Sequence, residues 1–165
     1  MKVAVVTQYS DSYKEIAEIT VPVMKEYCSL RGYDFHETRI WDDKKWAYKK
    51  HWKFRDLFDL GYKLIWYLDV DAMITNVNYR IEEFIDSEHD FFITKDFNEL
   101  NGGSVIIKNT KEGRWFNDFI LNESSKFENE QNAYNHHYNN VTKNKRENVV
   151  DYLSTIMKVL PHPRS

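Results

Sequence analysis

Short runs of consecutive apolar residues alternate along the chain with longer stretches in which apolar side chains return every three or four positions. The first pattern suits strands covered on both faces, and the second suits helices with one buried side. Residues 2–7 (KVAVVT) predict a first strand that ends in a polar loop at residues 8–12. Ile16, Ile19, Val23, Tyr27 and Leu30 then recur at helical spacing up to Gly32, predicting a helix over residues 13–31 that Pro22 can kink. Residues 33–38 predict a second strand. Phe54, Leu57 and Phe58 share one face of a predicted helix over residues 46–60, which Gly61 ends.

Residues 63–68 predict the third strand and residues 81–85 a short amphipathic turn. Two further strands are expected at residues 90–94 and 104–108, the second after the paired Gly102 and Gly103. Helices near residues 111–122 and 129–138 follow, and residues 155–160 predict a last strand. Strands alternating with helices imply an α/β fold of Rossmann-like type, with a mainly parallel central sheet and helices on both faces.

The length of 165 residues and the absence of any linker or repeat make this one domain spanning residues 1–165. Its 42% apolar and 16% aromatic content is that of an ordered globular chain. A net charge of -3 lacks the positive field that nucleic acids or anionic membranes attract, which leaves small polar substrates. The lone Cys28 cannot form an intramolecular disulfide and falls within a helical apolar pattern, as a core residue does. The start MKVAVVTQYS is too short an apolar run for a signal peptide or membrane span, so a cytoplasmic protein is expected and the Asn122 and Asn140 sequons read as chance matches.

The chemistry concentrates in LIWYLDVDAMITN, residues 64–76. Ligands of a covered parallel sheet gather beyond the carboxyl ends of its strands, and the apolar run stops there at Asp69. Strand alternation aims Asp69 and Asp71 the same way, and Asn76 follows shortly after. Two like charges so placed repel unless a cation lies between them, and Mn2+ or Mg2+ takes carboxylate oxygens together with water and substrate phosphates.

Three further segments bear on this site. In DFNELNGGSVIIKN, residues 96–109, Gly102 and Gly103 predict a positive-φ loop that lets backbone approach a ligand closely, or simply a tight turn before a strand. Lysines interleaved with aromatics in residues 41–54 read mainly as a solvated helix face, with one lysine available to neutralise a diphosphate. Glu130, Gln131 and Asn132 stand at a helix start, where capping is the simplest role. The adjacent His136 and His137 diverge on a helix and read as surface imidazoles.

Taken in order, WYLDVDAMITN, DFNELNGGSVIIKN and EQNAYN resemble the nucleotide-sugar glycosyltransferases of GT-A fold, especially the galactosyl, mannosyl and xylosyl transferases of galactomannan and xyloglucan. The resemblance spans roughly residues 31–138. It implies a retaining, metal-dependent transfer of a hexosyl or pentosyl group from a nucleotide-sugar donor, UDP-linked before GDP-linked, to a glycan acceptor. It also implies roles: Asp69 and Asp71 for the metal, with Asp69 also reaching the donor ribose. Asn101, Gly102 and Gly103 would lie against the donor sugar, Glu130 and Gln131 beneath it as catalytic residues, Lys50 facing it, and Thr7, Gln8 and Tyr9 at the base and ribose. Asn132 stands where the family often has Asp, and the family's metal-binding His beyond the last strand has no clear counterpart, His162 falling before that position.

Two rivals follow from the same residues. A haloacid-dehalogenase-type phosphatase also places D-x-D after an apolar strand, with the first Asp as nucleophile, but DVDAM lacks the Thr that class requires and no later acidic metal motif appears. A non-catalytic nucleotide-sugar or carbohydrate-binding module would retain the fold without turnover.

Overall fold

A computed structural model describes residues 1–40, 46–97, 99–143 and 157–160. Six strands form one sheet in the order β2-β1-β3-β5-β4-β6. In chain order these are β1 Val3–Tyr9, β2 Asp34–Arg39, β3 Leu64–Leu68, β4 Phe91–Asp96, β5 Glu99–Lys108 and β6 Met157–Leu160. The neighbours β1/β2, β1/β3 and β4/β6 run parallel, whereas β5 runs antiparallel to both β3 and β4. Five strands therefore share one direction. The reversal of β5 places its first residues beside the last residues of β3, with Leu68 opposite Ser104.

Among the described residues four α-helices cover the sheet: α1 Lys14–Arg31, α2 Lys49–Asp59, α3 Lys111–Asn122 and α4 Glu130–Lys143. Helices α2, α3 and α4 bury Phe54, Leu57, Phe58, Phe116, Ile120, Ala133 and Tyr134 against Ala4, Val6, Ile65, Tyr67 and Ile107 on one face. The other face carries Val3, Val5, Leu64, Leu68 and Ile106 beneath Met24, Tyr27 and Cys28 of α1 and Ile81 of a short 3-10 turn, Ile81–Phe84. Alternation of apolar residues along β1 and β3 thus supplies two cores, as a sheet covered on both sides requires.

Two expectations change. The buried face of α1 runs through Ala17, Thr20, Val21, Met24, Tyr27 and Cys28, while Ile16, Ile19 and Leu30 are exposed. The apolar stripe chosen from the sequence is rotated from the true one because small and polar residues, Ala17 and Thr20, pack closest to the sheet. Pro22 lies on the exposed side and the helix continues through it. The second change concerns the glycines. Positive φ occurs at Gly32 and Gly61, which end α1 and follow α2, and at Glu99, whereas Gly102 and Gly103 are strand residues inside β5. Their lack of a side chain serves close approach, not a turn.

No helix among the described residues is long and apolar enough to cross a membrane. His162 and residues 41–45 lie outside the described residues.

Candidate active site

The carboxyl edge of β1 and β3 opens into a cleft of about 210 Å³, lined by Gln8, Tyr9, Ser10, Tyr13, Ile40, Trp46, Asp69, Val70 and Asp71. Both acids of D-x-D reach one cavity, but through a turn beyond the end of β3 and with Val70 between them also on its lining, so strand alternation is not what brings them together. Among the described residues no lysine or arginine lines the cleft. The cleft is braced from behind: the Thr20 hydroxyl donates to the Val70 carbonyl at 2.6 Å, tying α1 to the residue between the acids. Tyr9 donates its hydroxyl proton to Glu37, and Arg39 lies 4.8 Å above the Tyr9 ring while pairing with Asp11.

Asp69 is the point where the cleft meets β5. Its backbone N–H donates to the Gly103 carbonyl at 2.7 Å, and its own carbonyl accepts from Ala72 N at 3.0 Å. A Cβ at Gly103 would lie 2.7 Å from Asp69 Oδ2, so glycine is what lets the carboxylate pass this close to β5. Tyr67, two residues earlier on the same face, hydrogen-bonds Asp69. Burial, then the charge of Asp69, pushes the phenol well above its ordinary range, so it remains a donor.

Next to this lies a second cluster. Lys50 Nζ is 2.6 Å from Glu130 Oε1 and donates to the Gly102 carbonyl at 2.7 Å, with the Tyr67 ring centroid 4.2 Å away. The ammonium that the sequence offers to a diphosphate is therefore buried on Glu130. A Cβ at Gly102 would fall 2.8 Å from Glu130 Oε1. Gly102 N–H donates to Gln131 Oε1 at 3.0 Å, which leaves the Gln131 Nε2 protons as the free end of that amide. Asn101 spans the β4–β5 hairpin, donating to Asp96 at 2.9 Å and accepting from Gly103 N at 2.7 Å. Behind α4, His51 Nδ1 lies 2.7 Å from Asn117 Oδ1 and Nε2 lies 2.6 Å from the Tyr134 hydroxyl.

The structure brings Gln8, Tyr9, Asp69 and Asp71 to one cleft, and Lys50, Gly102, Glu130 and Gln131 to one buried junction, joined through Gly103 and Asp69. Thr7 does not reach the cleft. It is fully buried with its hydroxyl unpaired, and alternation places it on the α1 side with Val3 and Val5. Asn132 is exposed, and its backbone N–H caps on Asn129 Oδ1 at 2.8 Å. His136 is exposed and His137 pairs with Glu123 at 3.2 Å, away from the acids' cleft. Tyr67, His51 and Tyr134 do not stand out in the sequence as site residues. The spacing of two between Tyr67 and Asp69 and of four between Glu130 and Tyr134 is the signal that places each tyrosine beside its acid.

The donor set suits a divalent ion. Two carboxylates share one cavity, which fits a hard cation whose remaining positions go to water and phosphate oxygens. Among the described residues no third carboxylate, imidazole or thiol joins them.

At the level of whole structures, the chain is similar to a glycosyltransferase involved in the glycosylation of the major capsid of PBCV-1. The TM-score is 0.72 at 15% identity, covering 96% of this chain and 81% of that one. The fold is of the GT-A-like glycosyltransferase type. The glycosyltransferase GlyE of Streptococcus pneumoniae TIGR4 is also similar, with a TM-score of 0.56 and 16% identity over 82% of this chain. This chain spans 43% of GlyE. No protein-family model and no curated protein matches the sequence.

Proposed function

We propose that this chain transfers a glycosyl group from a nucleoside diphosphate sugar to a glycan acceptor, with Mn2+ or Mg2+ held by Asp69 and Asp71. The observation that carries the reading is the meeting of those two carboxylates in one cleft, directly beside the glycine backbone of β5. The metal, when bound, supplies a Lewis acid that stabilises the diphosphate as a leaving group. Gln8 and Tyr9 line the cleft for base and ribose, and the family resemblance puts a UDP-linked donor before a GDP-linked one. Asn101, Gly102 and Gly103 offer close backbone approach to the sugar.

Glu130 does not face the sugar as a bare carboxylate, because Lys50 neutralises it. Gln131 then presents Nε2 toward the reacting centre while Gly102 fixes its carbonyl end. A neutral amide beside the anomeric carbon suits an oxocarbenium-like transition state, and the family resemblance suggests retention of configuration. A binding module without turnover is favoured by one observation, the absence of a third metal ligand among the described residues.

The deciding experiment is a panel of UDP- and GDP-sugars with and without Mn2+, read by thermal shift and by release of free sugar. Metal-dependent stabilisation with sugar release is expected. Stabilisation without release supports the binding module, and neither response rejects both readings.

A further inference from the structure

A second, larger cavity of about 590 Å³ lies on the α1 face of the sheet, over β3, β5, β4 and β6. Trp66 and Ile106 form its floor, and Tyr79 and Phe84 stand at its wall. Among the described residues its lining contains no charged side chain to receive a phosphate, nucleotide or acidic ligand. Tyr79 and Phe84 are 52% and 46% exposed, with ring centroids 5.9 Å apart, and offer aromatic surface to whatever enters.

The polar groups of the lining decide what kind of ligand fits. Among the described residues the Thr75 and Thr94 hydroxyls make no hydrogen bond. Ser104 Oγ accepts from Trp66 Nε1 at 3.1 Å and retains its own proton, and Asn76 Oδ1 accepts from Asn78 N while its Nδ2 protons are left to donate. A lipid chain or an apolar helix would desolvate these groups without satisfying them, at a cost for each. A ligand with hydroxyls at its edges and apolar faces between them would satisfy both sets, and that is the chemistry of a neutral pyranose chain.

The groove and the acids' cleft share no lining residue, although the loop that carries Asp69 and Asp71 continues to residues 74–76 of the groove. The groove lies on the α1 face of the sheet, whereas α4, which carries Glu130 and Gln131, packs on the other face. We propose that the groove binds a neutral oligosaccharide at a site apart from the reacting centre, with Tyr79, Phe84 and Trp66 against the sugar rings and Thr75, Asn76, Thr94 and Ser104 on the hydroxyls. This capacity to hold a glycan does not depend on the transferase reading.

The test titrates neutral gluco-, galacto-, manno- and xylo-oligosaccharides into the full chain without nucleotide or metal, following tryptophan fluorescence and saturation-transfer NMR. Saturable binding of at least one is expected, weakened about tenfold or more in Tyr79→Ala and Phe84→Ala and less in Thr94→Val. Mn2+-dependent UDP binding and circular dichroism serve as controls and should not change, since both aromatic residues are half exposed. No saturable binding by any member of the panel, or binding indifferent to all three substitutions, overturns the proposal. So does a dimer in sedimentation that Tyr79→Ala dissociates, which gives the groove to a second copy. Glycan binding with no UDP response would leave the groove standing and remove the transferase reading, and the reverse result would do the opposite.

Discussion

Lys50 Nζ and Glu130 Oε1 lie 2.6 Å apart with neither side chain more than 5% exposed, so α2 and α4 are joined by an ion pair inside the protein. The same ammonium holds the Gly102 carbonyl, and Gly102 holds Gln131. Removal of one partner strands a buried charge, which costs about 3–5 kcal/mol, whereas removal of both strands no charge and leaves only the Gly102 carbonyl without its donor. Lys50→Met and Glu130→Leu should therefore each destabilise by that amount in urea unfolding. The double variant should be more stable than either single one. Additive losses would show that the two groups do not depend on each other.

Asp71 is exposed and makes no ion pair among the described residues, so its charge is not needed for the fold. Asp71→Asn should leave the melting temperature without ligand within about a degree, since surface changes rarely exceed about 0.5 kcal/mol. Mn2+-dependent UDP binding should fall about a hundredfold with loss of a charged metal ligand. Calorimetric titration of UDP with and without Mn2+ reads both effects. Unchanged affinity would take Asp71 out of the metal site.

Gly103 tests the close approach of β5 to the acid. An added methyl group would lie 2.7 Å from Asp69 Oδ2 and 2.9 Å from Asn101 Oδ1, too near for either to stay in place. Gly103→Ala should thus turn the carboxylate out of position, weakening metal-dependent UDP binding about tenfold or more while costing about 1–3 kcal/mol by overpacking. Circular dichroism with UDP titration separates the two. A variant that binds UDP normally would show that Asp69 is free to move.

Much of this arrangement is legible in the order of residues alone. The run LIWYL marks where β3 stops, and the acids that follow it at once fall at the sheet's carboxyl edge, although a turn and not strand alternation sets their directions. Helix α3 follows the expected range because its apolar spacing and the Thr110 cap agree, the hydroxyl accepting from Gly113 N. What the residue order hides depends on contacts distant along the chain. Nothing local marks Lys50, among several lysines, as the buried one, because its partners Glu130 and Gly102 lie 80 and 52 residues away. The reversal of β5 is hidden for the same reason: a short hairpin between β4 and β5 reads much like a loop before a parallel strand. Thr7 is buried within β1, two residues short of the edge at which Tyr9, on the same face, enters the cleft.

His51 supplies the pH dependence. Asn117 Nδ2 donates to the His51 carbonyl at 3.1 Å, so Asn117 Oδ1 accepts from Nδ1, and Nε2 is left to accept from Tyr134. The ring is neutral in this arrangement, and complete burial pushes its pKa from 6.5 down to about 3. The unfolded chain takes up a proton near pH 6.5 that the folded chain refuses, so stability is intact above that pH and falls as the pH drops toward 3. Each unit within that window should cost about 1.4 kcal/mol from this residue alone. Glu37, Glu82, Asp86 and Glu123, whose partners hold them below the usual carboxylate range, lose stability in the same direction at lower pH. Their share is common to the parent and to His51→Gln. Urea unfolding of both proteins at pH 7, 6 and 5 should show a common loss, from His36 and His137, whose burial also lowers them, and from the carboxylates, with an extra slope of nearly one proton in the parent only. Equal slopes would mean that His51 is protonated in the folded state.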